Sequence, residues 1–107
     1  MRRGEVWWVS FDPSVGGEIR KRRPAIIVSN DASNLHMNRL QVVPLTSKTD
    51  RLYPGEAYIT LNGELRKAIA DQITTVSKRR VSERIGVISP TDMDLVEYAI
   101  KMQLALR

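Results

Sequence analysis

Apolar and polar residues change over short steps through most of this chain, and a longer period appears only at its end. Residues 5–11, Glu-Val-Trp-Trp-Val-Ser-Phe, are rich in aromatic and β-branched side chains and stop at Asp12-Pro13, which predicts a strand closed by a turn. Residues 12–23 hold Pro13, Gly16 and Gly17 and then a basic run, with no period, and read as a loop. Pro24 opens the dense run Ala25-Ile26-Ile27-Val28, which ends at Ser29-Asn30-Asp31. Consecutive apolar residues between turn signals predict a strand buried on both faces, with the proline at its first position, where it is tolerated. Residues 31–38 are polar and irregular. Leu40 to Thr46 reads as a third strand, in which Pro44 argues for an edge or a bulge near the end. Ala57 to Leu61 alternates and runs into Asn62-Gly63, a hairpin turn signal. Residues 65–76 suit helix or strand by local propensity; the β-branched Ile69, Ile73, Thr74, Thr75 and Val76 favour a strand over Ala68–Val76.

The last segment has a helical period. Ser89-Pro90-Thr91-Asp92 combines an N-cap, a proline at the first helical position and an acid in the first turn. Beyond it, Met93, Val96, Ile100 and Leu104 form one stripe, and Leu95, Ala99, Met102 and Leu106 form another. Asp94, Glu97 and Lys101 share the narrow remaining face. So broad an apolar arc exceeds one contact, so one stripe is expected on the chain's own domain and the other on a partner. The pattern does not say which. Roughly five or six short strands and a terminal helix predict a mainly β fold, a small, curved SH3-like β-barrel with a C-terminal α-helix. The 107 residues fit a single domain spanning 1–107, with no internal repeat or linker.

Composition narrows the function. There are no cysteines, which excludes disulfides and thiolate metal sites. No segment is apolar for long enough to span a bilayer, and the first residues lack the apolar stretch of a signal peptide, so a soluble cytoplasmic protein without membrane association is expected. The net charge is +5, and it is clustered. Arg20-Lys21-Arg22-Arg23 and Lys78-Arg79-Arg80 with Arg84 are basic, whereas Asp92, Asp94 and Glu97 gather near the end. One basic face suited to nucleic acid and a separate acidic helix follow. Glycine-rich phosphate loops are missing, no serine has an elbow motif, and His36 is the single histidine, in a polar stretch that favours an ordinary surface role.

What remains is an arginine beside a strand start and hydroxyls at a strand end. Arg23 precedes Pro24, which restricts its backbone to extended geometry. Thr46 sits where the third strand stops. If the second and third strands pair antiparallel, the two face a common site; the alternative is a solvated arginine and a hydroxyl that serves its own backbone.

Several segments, in order along the chain, resemble the MazF/PemK toxins. They are Arg3-Gly4-Glu5 before the first strand, and Asp12-Pro13 with Gly16-Gly17-Glu18 in the first loop. The most recognisable is Arg22-Arg23-Pro24-Ala25-Ile26-Ile27-Val28-Ser29-Asn30-Asp31, followed by Val42-Val43-Pro44-Leu45-Thr46-Ser47 and Ala70-Asp71-Gln72-Ile73 with Thr75. The resemblance implies a sequence-specific endoribonuclease that cuts single-stranded RNA without metal or other cofactor, leaves 2′,3′-cyclic phosphate and 5′-hydroxyl ends, and is neutralised by a cognate antitoxin. It also implies a homodimer. It assigns Arg23 and Thr46 to catalysis and places Glu18, Asp71 and Gln72 along the RNA; the basic residues Arg20, Lys21 and Arg22, with Ser47, complete the expected binding surface. Some relatives carry a second arginine two positions before the acid of the Asp71 segment, where this chain has Ile69; Arg66 and Lys67 are nearby cations. Two alternatives stay open: a non-catalytic barrel that binds nucleic acid, and a gyrase-poisoning toxin of the same fold. Aromatic platforms would favour the first, and Trp7 and Trp8 point to opposite faces of a strand, leaving at most one.

Overall fold

The computed structural model describes residues 1–11 and 21–107. Among these residues, seven strands form one antiparallel, strongly bent sheet: β1 Glu5–Phe11, β2 Lys21–Ile27, β3 Arg39–Thr46, β4 Glu56–Leu61, β5 Glu64–Ile69, β6 Thr74–Ser77 and β7 Val81–Val87. The described residues also hold two α-helices, the short α1 Asp31–His36 and the terminal α2 Pro90–Gln103. The strand order is β4-β5-β3-β2-β1-β7, with β6 added beside β3. The bend comes from β3. Its first half, Arg39–Val42, pairs with β6, and its end, Leu45–Thr46, pairs with β5, while β2 runs along Val42–Pro44. One strand thus belongs to two walls, and the sheet curls into a barrel-like shape that stays open between β4 and β7. The free ends approach each other where Asn62 Nδ2 donates to the Ile85 carbonyl at 3.2 Å.

The wholly apolar run in β2 has a two-sided explanation. Ile26 packs with Val6, Val43, Leu45, Ile59 and Val96 under α2, whereas Ala25 and Ile27 pack with Val9, Leu40, Val42 and Val76 on the opposite face. Successive side chains point to opposite faces, so a strand with two covered faces carries no polar alternation. Burying each such isoleucine or valine stabilises the fold by about 1.5–3 kcal/mol.

Several expectations are met and others change. The Asn62-Gly63 turn joins β4 to β5 with both residues at positive φ, +50° and +81°, the conformation of a two-residue hairpin whose twist matches its strands. Ser89 caps α2 by accepting the Asp92 N–H at 3.0 Å, with Pro90 at the helix start. By contrast, β2 begins at Lys21, so residues 21–23 are strand and Pro24 is its fourth residue rather than its first. The β1 ladder, which pairs Val9 with Arg23 and Trp8 with Pro24, carries the strand past the proline. The expected strand over Ala68–Val76 is two strands separated by a 3-10 turn at Ala70–Gln72. Both strands pair with the same edge of β3, so the chain must step between them. The polar stretch after Ser29 holds α1, capped by Asn30, whose side chain accepts the Ser33 N–H at 2.8 Å.

The start of β1 is held by carboxylates. Burial alone would raise the Glu5 carboxyl, but donors from the Arg2 N–H and the Trp7 indole, with the charges of the terminal amine and Arg84, hold it below the usual range. The Arg3 N–H, donated at 2.8 Å, is the main cause that lowers the Asp31 carboxyl. A carboxyl lowered by folding contributes fully above its unfolded value, about 4, and loses that contribution as pH falls through the lower folded value. Acidification below about pH 4 should therefore reduce the melting temperature of the wild type more steeply than that of Glu5→Gln/Asp31→Asn. Equal slopes in a pH series of thermal melts would remove these two groups from the account.

Candidate nucleic-acid interface

The β2/β3 ladder runs from Ile27 opposite Val42 to Ala25 opposite Pro44. Continued by two residues, this register sets Arg23 against Thr46, and both line one open cleft of about 300 Å³. Two prolines, Pro24 and Pro44, sit where that ladder ends, and neither can donate a ladder hydrogen bond. Local chemistry therefore explains an opening between strand ends that are otherwise adjacent.

Cations dominate the cleft. Lys21, Arg22, Arg23 and Arg66 line it together with Trp8, Thr46 and Ser47, and no carboxylate is among its described lining residues. Lys21 lies at φ +66°, a region that non-glycine residues seldom occupy and that recurs at functional sites. Arg22 stacks over the Trp8 ring at 4.5 Å from its centroid. The same guanidinium meets Glu83 at 3.6 Å and Ser82 at 3.4 Å, so it is held at the rim and its charge is partly balanced. Arg23 is half-buried in β2, next to the Pro24 that constrains its backbone. The Thr46 hydroxyl accepts the Lys48 N–H at 3.2 Å, which fixes the oxygen at the last residue of β3. Ser47 follows it, exposed.

Arrangements of this kind bind phosphate. Guanidinium groups present forked donors that match two phosphate oxygens, and a fixed hydroxyl adds a further contact. Trp8 offers a ring face for stacking a base or an arginine plane. Trp7, one residue away, packs against the interior cluster and donates to Glu5 at 3.0 Å, as the alternation of a strand requires.

The other sequence-predicted residues are dispersed. Glu18 and Arg20 lie outside the described residues. Asp71 and Gln72 occupy the 3-10 turn after β5, which packs against α2, and neither is among the residues lining the cleft. Asp71 is exposed and Gln72 half-buried. His36 is exposed at the end of α1 and does not line the cleft. Asn30 and Asp31 of the Arg-Pro segment serve the fold: Asn30 caps α1 and Asp31 anchors Arg3. Among the described residues, no three His, Asp or Glu side chains gather as metal ligands. Two neighbours in sequence separate. Arg66 reaches the cleft, its guanidinium 2.6 Å from Glu64, whereas Lys67 is buried beside Glu56 at 3.0 Å. Strand alternation in β5 separates the two, and the ladder sets Lys67 rather than Arg66 opposite Thr46, so their roles are decided by what packs around each and not by the alternation alone.

The PemK-like, MazF-like toxins of type II toxin–antitoxin systems match residues 2–104. The chain is 37% identical to endoribonuclease MazF9 of Mycobacterium tuberculosis, over 99% of this chain and 98% of that protein. Its fold is similar to the crystal structure of MazF from Deinococcus radiodurans, with a TM-score of 0.87 and 26% identity over 99% of this chain and 97% of the other. It is also similar to a mycobacterial endoribonuclease solved in complex with its cognate antitoxin, with a TM-score of 0.82 and 28% identity over 100% and 97% of the two chains.

Proposed function

The chain belongs to the PemK-like, MazF-like toxin family of type II toxin–antitoxin systems, and on that premise we propose that it is an endoribonuclease that cuts single-stranded RNA in the Arg23–Thr46 cleft. The observation that carries this reading is the convergence of Arg23, Arg66 and Thr46 in one cation-lined depression. The 2′-hydroxyl attacks its own phosphate, the bond to the 5′-oxygen breaks, and the products are a 2′,3′-cyclic phosphate and a 5′-hydroxyl. Negative charge gathers on the phosphorane oxygens during this step. The Arg23 fork binds two of them, and the Thr46 hydroxyl donates to the phosphate. A guanidinium presents only donors, so Arg23 stabilises charge rather than acting as a base. Arg22 and Lys21 hold flanking phosphates, while Trp8 stacks a base. None of these roles uses a metal.

Partners follow from the same premise. A cognate antitoxin covers the RNA groove, and the barrel works as a homodimer whose second copy covers the exposed face of α2. Among the described residues, no helix is long and apolar enough to cross a membrane, and a cytoplasmic location fits an RNA substrate.

Incubation of the pure protein with a long single-stranded RNA in EDTA tests the proposal. Discrete fragments with 5′-hydroxyl and cyclic phosphate ends are expected. Bound but uncut RNA would point to a non-catalytic module, and intact RNA with inhibited gyrase to the other toxin activity of this fold. Trp8 and its stacked Arg22 favour nucleic-acid contact in either of the first two cases.

A further inference from the structure

Among the described residues, Lys67 is the charged side chain that is buried, and it stands directly across the β3/β5 ladder from Thr46. Its ammonium meets Glu56 at 3.0 Å, donates to the Arg51 carbonyl at 3.0 Å and lies 5.5 Å from the Tyr53 ring centroid. The same Glu56 oxygen accepts the Tyr53 N–H at 2.8 Å. One ion pair therefore grips the far half of the β3–β4 connection, residues 47–55. The near half is tied by the Thr46 hydroxyl to Lys48 and by the Tyr58 hydroxyl, which donates to the Thr49 carbonyl at 2.8 Å. Leu52 and Tyr53, the large apolar side chains of this connection, are both about half exposed, at 48% and 53%. No buried apolar anchor holds the segment; polar ties do.

A buried ion pair contributes little net stability compared with apolar residues of the same volume, because desolvation offsets the attraction. What such a pair supplies is a defined geometry. We propose that Lys67 and Glu56 are positioning residues that fix the 47–55 connection, and through it the Thr46 hydroxyl and the adjoining Ser47, which line the cleft, and thereby which RNA sequences enter it. The inference rests on the ribonuclease reading of that cleft. Neither residue touches RNA; both act through the loop they hold.

The test compares Lys67→Met, Glu56→Leu and the double variant with the wild type. Thermal melts, amide hydrogen exchange over 47–55, kcat and KM on a short RNA, and sequencing of the ends cut from a long RNA are the readouts. Each single variant leaves one charge buried and should melt earlier. The double variant removes both charges and should regain its melting temperature. It should nonetheless lose exchange protection in 47–55, drop in kcat/KM by roughly tenfold to a hundredfold, and cut at additional sequences. A merely structural pair would restore activity together with stability. A double variant that cuts the wild-type sites at the wild-type kcat/KM overturns this inference alone. A wild type that leaves RNA intact overturns the ribonuclease reading and this inference with it. If the double variant does not fold, Glu56→Ala removes the oxygen shared by Lys67 and the Tyr53 N–H, and unchanged cut sites and rate there overturn the proposal equally.

Discussion

Replacing Arg23 by alanine is expected to leave a folded protein whose RNA cleavage falls at least about a hundredfold, the usual cost of losing one donor to a developing oxyanion. The fold should survive because Arg23 is half-buried at the cleft, while β2 is anchored by Ala25, Ile26 and Ile27, which are fully buried. Arg23→Lys should recover little. A lysine keeps the charge but presents a point donor, so it cannot span two phosphorane oxygens. The loss should appear in kcat more than in KM, since Lys21, Arg22 and Arg66 still line the cleft and still attract the backbone. Single-turnover cleavage of a defined RNA measures this. A lysine variant that cuts near the wild-type rate would remove the guanidinium-specific role.

The second large effect concerns assembly. On α2, Met93, Val96 and Ala99 are buried, and Ile100 packs partly against the same core. Leu95, Tyr98, Met102 and Leu106 remain 46–64% exposed and recur on one side of the helix and its C-terminal extension. Contiguous apolar surface of this kind marks an interaction site. The proposed homodimer places this face against its copy, and near a two-fold axis one added charge appears twice at close range. Met102→Glu should therefore convert the dimer to a monomer that binds RNA poorly, although Arg23 and Thr46 are untouched. Light scattering coupled to gel filtration would report the mass. A wild type near 12.2 kDa at micromolar concentration would overturn the dimer and any groove shared between its copies. Ile100→Glu is a different experiment, because charge at that position enters the protein's own core.

The helix illustrates how far a pattern reaches. Its two apolar stripes were legible, and so were its cap and its proline, because all of these depend on residues within one or two turns. The division between inner and outer stripe was not fully legible. Ala99 reads with the second stripe but is buried, Leu104 reads with the first but is half-exposed, and Tyr98 joins the outer face. A period gives angles around a helix, whereas the direction toward the core is set by β4 and the 3-10 turn that α2 packs against.

The cleft divides the same way. The short-range signals in the chain determined the strands at 5–11 and 40–46, the Asn62-Gly63 hairpin, the capped terminal helix, and an arginine held extended by the proline after it. Each depends on backbone sterics or hydrogen bonds between near neighbours, which a linear pattern records. Tertiary structure alone decided that β5 and β6 share one edge of β3, that Trp8 rather than Trp7 faces the cleft, and that Arg66 joins Arg23 there while Lys67 turns inward to Glu56. Those outcomes depend on strand register across many residues, and a shift of one residue would exchange every side chain between the two faces.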